Sequence, residues 1–550
     1  MKNVISITRL LLTVMAAVAL LLPATARAAA PGITGGTGPT ATFNLIAQTA
    51  YITQPDGAMV YSWGYGCNAA PVGFAPAAIT GTFCNTMQIP GPTLIVTEGQ
   101  TVTVILANGL PAPAGNTSIL FPGFTVTTSG GVAGLLTQEA IPGGTVTYTF
   151  TAGSPGTRSY YSGTQSDLQV EMGLYGAIIV LPKTVPSNCT SGLAANNLTA
   201  EAHWGESDFR LANASGSVGA AYDHAKTCYD REYLFQFSEM DPDIHNKALA
   251  QVTAAGSCTA GATGCSLAVP TEPYHPAYFL INGRSMPDDM DPNYATEYPH
   301  QPYNGNPHMH PGEQVLLRII GQGRWQHPFH EHGNHVRILG RDGNLILSVS
   351  DSAATPALAG PLLFTTTTTP GQAFDGIFYW TAKGLNWDAY GHNPGSADPA
   401  AKLPCTPDAS GYNTSAPTAI NYYEWCQDHN KPLQVYPFGD VASGGPATLP
   451  DPNILTNGAW YGGSPYLGPN ATLRSTGCVN GAPVPAGGCG ATGSTPPSGT
   501  IANSPSSEAG FAFMWHSHNE REITTNNIFP GGMLMMMLVD SREFPIDESN

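Results

Sequence analysis

The sequence predicts an all-β protein built from two Greek-key β-sandwich units, and three observations predict it. Glycine and proline are abundant, at 63 and 48 of 550 residues. Short apolar or alternating runs recur between them. Charge is sparse at 11%, while 42% of the chain is hydrophobic. Turn formers at that density argue against long helices and coiled coils. The apolar fraction is enough to fill buried cores, so global disorder is not expected. Lys+Arg 20 against Asp+Glu 38 leaves −18, a poor match for phosphate backbones, so no nucleic-acid partner is expected.

The N-terminus reads as a secretory signal peptide over residues 1–28. It has a basic start, an apolar stretch from Leu10 to Leu22 and a small-residue site ending near Ala28. Its apolar run is short for a membrane span and no later segment is long enough to be one, so the chain is expected to be secreted or periplasmic. A first β unit occupies 29–183. Its strands are read at Thr93–Thr97, Gln100–Leu106, Thr145–Phe150 and Tyr175–Val180, from alternation or compact apolar runs. A Ser/Asn-rich linker covers 184–198. The second unit, 199–545, repeats the pattern at Glu232–Ser238, Tyr278–Gly283, Gln314–Ile320, His335–Leu339 and Gly376–Trp380. Strand signals stop after Lys383 and resume at Ala509–Trp515 and Met533–Val539, so 384–508 reads as a long insertion.

Ten cysteines in an exported chain suggest disulfides rather than thiol chemistry. Neighbours pair as Cys67/Cys84, Cys189/Cys228, Cys258/Cys265, Cys405/Cys426 and Cys478/Cys489, although sequence alone does not fix connectivity. The last two pairs would staple the insertion, making it a candidate surface for a protein partner.

Histidine carries the chemistry. The segments His327-Pro-Phe-His330-Glu-His332-Gly-Asn-His335 and Trp515-His516-Ser517-His518 each contain an HxH pair. Residues i and i+2 of a strand project from one face. Two such strands side by side would therefore bring four imidazoles together. Imidazole is a ligand for Cu, Zn, Fe or Ni, so this pattern points to a transition-metal ion.

At these residues the chain resembles the multicopper oxidases, a family built from cupredoxin domains. In the first unit, Pro90-Gly-Pro-Thr-Leu-Ile-Val-Thr-Glu-Gly-Gln is similar to the family's opening strands, and Gly173-Leu-Tyr-Gly-Ala-Ile-Ile-Val to a domain ending. In the second, Leu280-Ile-Asn-Gly, Val315-Leu-Leu-Arg-Ile-Ile, the HPxHxHG motif from His327, Pro370-Gly-Gln and Trp515-His-Ser-His follow in the family's order. The resemblance implies two cupredoxin-like domains and copper.

Three of the family's four histidine motifs are degenerate here. Ser118-Ile-Leu120 stands where the first-domain HxH is expected, and Tyr161-Ser-Gly163 where its second HxH is expected. The final motif has Ser517 in place of cysteine and Glu522 in place of its last histidine. No histidine precedes His203. A blue-copper site needs a thiolate with two imidazoles, and of that set only His327 remains. Of the eight histidines that the family's three-copper cluster draws on, His330, His332, His516 and His518 remain. The expected metal residues are thus His330, His332, His516 and His518, with His327 apart, holding one copper ion, with zinc as the alternative.

The neighbours carry weaker expectations. Glu331 alternates away from the pair, as a supporting or surface residue. Glu522 is read as solvated, with metal ligation as the alternative, and Tyr161 as a packing residue. His308-Met309-His310 is a third HxH at a strand entrance and a weak candidate for a surface copper site. Met533, Met535, Met536 and Met537 read first as core packing and second as a stripe for Cu(I). The resulting function is a secreted, multicopper-oxidase-like copper-binding protein, an oxidoreductase with a single His-rich centre and no laccase-type four-electron reduction of O2. A non-catalytic cupredoxin-fold binding or scaffold protein, and copper storage or delivery, are the alternatives. The oligomeric state is left open.

Overall fold

The computed structural model describes residues 30–75, 84–186, 189, 219–309, 313–349, 356–380, 405–409, 411–413, 426 and 512–539, with 546 and the backbones of 463–467, 501–502, 509–511 and 540. The signal segment, most of the 184–198 linker, nearly all of the insertion, the Cys478/Cys489 pair and His310 lie outside them. Four disulfides join Cys67–Cys84, Cys189–Cys228, Cys258–Cys265 and Cys405–Cys426, the neighbour pairing expected.

The first sandwich comprises two five-stranded sheets. One orders Met59–Cys67, Thr40–Thr53, Thr101–Asn108, Thr145–Thr151 and Thr127–Gly130. Two of its strands alternate: Val102, Val104 and Leu106 face the core opposite Phe150, Tyr148 and Val146, while the threonines between them face outward. The other orders Gly156–Tyr161, Tyr175–Leu181, Leu94–Thr97, Gly32–Thr34 and Gly73–Ala75.

The second sandwich has two larger sheets. One places Gln314–Gly321 between Arg231–Met240 and Ala373–Tyr379. Gln314–Gly321 is buried along nearly its whole length because both its faces are covered. Val315, Leu317 and Ile319 enter the second core, whereas Ile320 meets Ala177 and Ile179 of the first sandwich. The remaining sheet orders His308–Met309, Leu534–Asp540, Ala509–Ser517, His327–Glu331 and Thr365–Thr368. Its neighbouring strands Ala509–Ser517 and His327–Glu331 carry His516 and His330, and His518 and His332 follow their ends.

A helix that the sequence reading did not anticipate, Pro242–Ala255, bridges the units. Asp241 caps it by accepting from the Asp243 amide at 2.9 Å, with proline in the first turn. Ile244 and Ala248 of this helix are buried in the first sandwich's core.

Polar groups also lock the units together. Asp375 accepts from Thr157 Oγ1 at 2.6 Å and from Tyr222 Oη at 2.7 Å. Arg318, fully buried between them, lies 2.8 Å from Glu232 and 3.3 Å from Asp375. Removing one partner of a buried ion pair strands the other charges. Arg318→Ala should therefore cost about 3–5 kcal/mol, read as a lower urea midpoint for the full chain.

Candidate metal centre

The pairing of His327–Glu331 with Ala509–Ser517 sets the centre. Their antiparallel register places His330 opposite His516 and Phe329 opposite Ser517. His332 follows the first strand's end, where the chain turns at Gly333 (φ +104°); a β-carbon there would press on the Phe513 ring at 3.1 Å. His518 follows the end of the other strand, and its amide donates to the Pro328 carbonyl at 2.8 Å.

Four imidazoles gather as a result. Ring centroids lie 4.8 Å apart for His330 and His332, 5.2 Å for His332 and His516, and 5.0 Å for His330 and His518. One ring nitrogen from each of His330, His332 and His516 falls within 4.8 Å of the others. His518 completes the rim, its side chain 54% exposed. Beneath the group, Trp515 is fully buried and its Nε1 donates to the His332 carbonyl at 2.8 Å.

Supporting contacts orient the rings. His516 Nδ1–H donates to the Ser517 carbonyl at 2.7 Å, leaving Nε2 with the lone pair. That atom sits 3.3 Å from His332 Nε2. His330 Nδ1 is held by Thr365 Oγ1 at 2.8 Å. Burial, reinforced by His516 and His518, pushes His330 down to about 4, and burial also lowers His516. Both rings are therefore neutral near pH 7, the state in which imidazole binds a metal.

His327 stands apart from the group. It is fully buried, with Nδ1 2.9 Å from Glu522 Oε2 and Nε2 2.9 Å from Glu239 Oε2. Two carboxylate acceptors require two N–H donors, so the ring is an imidazolium. Burial opposes the charge, but the hydrogen bonds the ring donates to Glu239 and Glu522 outweigh it and push His327 up to about 9. Ser517 Oγ donates to the same Glu522 oxygen at 2.5 Å. A single carboxylate oxygen thus bridges the imidazole and the hydroxyl.

Several expectations need correction. Glu522 is not solvated but fully buried, because His327, Ser517 and Asn519 all bond to it. Glu331 is not at the surface; it is buried, accepts from Thr366 Oγ1 at 2.7 Å, and is raised by burial to about 8. His308 is also buried, in a short strand beside Leu534–Asp540, so no surface site forms on it. Met533, Met535 and Met537 lie in the second core, while Met536 packs on the opposite side with Ala512 and Leu538, so they form no exposed stripe. Tyr161 packs against the Ile52, Met87 and Ile89 cluster. Glu239 was missed altogether. Nothing in Phe237-Ser-Glu-Met-Asp marks it, although Gly323 faces it: a β-carbon there would collide with its carboxylate.

Residues 76–185 match the family model for multicopper oxidase. Two curated proteins are 35% identical over 118 residues: multicopper oxidase MCE of Talaromyces pinophilus and multicopper oxidase CTB12 of Cercospora beticola. The match covers 20% and 21% of this chain, and only 19% and 17% of those proteins. Among solved structures, multicopper oxidase mgLAC and the blue copper oxidase of Nitrosomonas europaea each align with a TM-score of 0.41 and 14% identity. They cover 92% and 90% of this chain, and 87% and 85% of their own. Residues 76–185 therefore carry the pattern of a multicopper oxidase domain, a family that implies copper. The four disulfides point to an oxidising compartment. Among the described residues no helix is long and apolar enough to cross a membrane.

Because His327 is raised, its contribution to stability is complete below its ordinary value of about 6.5 and disappears as pH climbs through about 9. The urea midpoint of the metal-free chain should fall between about pH 6.5 and about pH 9.5. The His327→Gln variant should show a smaller drop over the same interval.

Proposed function

We propose that this chain is an extracytoplasmic, multicopper-oxidase-like protein that holds one copper ion on His330, His332 and His516, with His518 at the rim. The convergence of three imidazole nitrogens within 4.8 Å carries this reading. The residues fit a single ion. Two ligand atoms of a tetrahedral site with bonds of about 2.0 Å stand about 3.3 Å apart, and His332 and His516 Nε2 are 3.3 Å apart. They do not fit the blue-copper centre, because Ser517 offers no thiolate and Glu522 bonds directly to His327.

Bound copper would supply one-electron exchange between its cuprous and cupric states. The protein's own residues hold, orient and shield it: Thr365 and the Ser517 carbonyl set two ring orientations, and Trp515 closes the floor. Four imidazoles cannot saturate three ions, and no histidine precedes His203 to add more. We therefore assign no four-electron reduction of O2 to this chain. The signal-like N-terminus and the disulfides favour a secreted or periplasmic site of action.

Metal analysis of the full chain purified from its native compartment should find about one copper per protein and no intense thiolate colour. The His330→Ala/His516→Ala variant should lose it. Equal copper in both proteins, or zinc alone in the wild type, would defeat the assignment. Free copper at a hundredfold excess over Kd should raise unfolding stability by about 2.7 kcal/mol, and the double variant should show no such gain.

A further inference from the structure

We propose that Glu239, His327 and Glu522 are positioning residues for the histidine cluster, acting through Ser517 on the peptide that carries His516 and His518. The inference rests on reading that cluster as a metal centre. Its ground is a continuous buried chain of contacts. Glu239 Oε1 accepts from the backbone amides of Arg324 and Trp325 at 2.6 and 2.9 Å, which fixes the carboxylate to the turn before His327. Glu239 Oε2 and Glu522 Oε2 then grip opposite sides of the His327 ring. Glu522 Oε2 holds the Ser517 hydroxyl, and Glu522 Oε1 accepts from Asn519 Nδ2 at 2.9 Å. Ser517 lies between His516 and His518, and its carbonyl is the acceptor that sets the His516 tautomer.

The chain also reaches the first sandwich, which contributes no histidine. Tyr274 Oη lies 3.3 Å from Glu239 Oε1 and 2.7 Å from Glu171 Oε2. Glu171 in turn accepts from the Asp241 amide at 2.6 Å. Glu171, Glu239, His327, Ser517 and Glu522 are all nearly or fully buried, so solvent does not compete for these contacts. Hydrogen bonds to charged groups in such surroundings are stronger than neutral ones and directional. A rigid carrier peptide matters because metal affinity depends on ring nitrogens being held in place before the ion arrives.

The test compares full-length wild type with Ser517→Ala, Ser517→Thr and Glu522→Gln, using Cu(II) alone as the probe. Ser517→Ala should keep copper stoichiometry but lose about 10- to 100-fold in affinity, with an altered Cu(II) electron paramagnetic resonance spectrum. Ser517→Thr, which retains the hydroxyl, should restore both. In the metal-free chain, amide exchange at His518 should quicken in Ser517→Ala and Glu522→Gln and remain slow in Ser517→Thr. Wild-type affinity, spectrum and exchange rate in Ser517→Ala would overturn the proposal. If wild type takes up no Cu(II), the metal reading falls, and the exchange rates alone decide whether the chain holds this peptide.

Discussion

The site depends on one backbone pairing, the antiparallel register that sets His330 opposite His516. In a strand a slip of one residue turns every side chain to the other face. Such a slip of the His327–Glu331 strand would turn His330 away from His516 and set a neighbour such as Glu331 opposite it. The register is held by what lies on the opposite face. Phe329 and Trp515 pack with Phe235 and Phe378 in a fully buried core, with aromatic rings 4.9 to 6.5 Å apart. Hydrophobic burial on one face of the sheet thus pays for histidine placement on the other.

Much of this was legible in the residues. Alternation in Thr101–Asn108 and Thr145–Thr151 identifies half-buried strands, since a period of two has one physical reading. The two HxH pairs announced a shared face for the same reason. What escaped was whatever depends on partners distant in sequence. Glu239 and Glu522 are 283 positions apart and are joined only through His327, so neither local pattern signals burial. Glu522 lay in a polar stretch and read as solvated until the fold supplied its three donors. The Pro242–Ala255 helix had an Asp-Pro-Asp start that a search for caps would have found, but its single buried stripe was short.

Around His327 the structure shows how a charged network can be buried. An isolated imidazolium is costly to bury, and two carboxylates without a cation between them repel. Together with the Ser517 hydroxyl they satisfy one another. Glu239 is further saturated by backbone amides, so few lone pairs are left unmet. The histidine cluster beyond it has the opposite character: burial lowers His330 and His516 instead of charging them, and His518 is open to solvent.

The family pattern lies in residues 76–185, a stretch without a single histidine, whereas all four clustered imidazoles lie beyond residue 329. The segment that matches the family model and the candidate metal residues thus lie on different parts of one polypeptide. The matched segment itself holds Ser118-Ile-Leu120 and Tyr161-Ser-Gly163 where the resemblance implies histidines, so similarity there does not carry the donor set. Two proteins sharing that first segment need share neither metal number nor reaction.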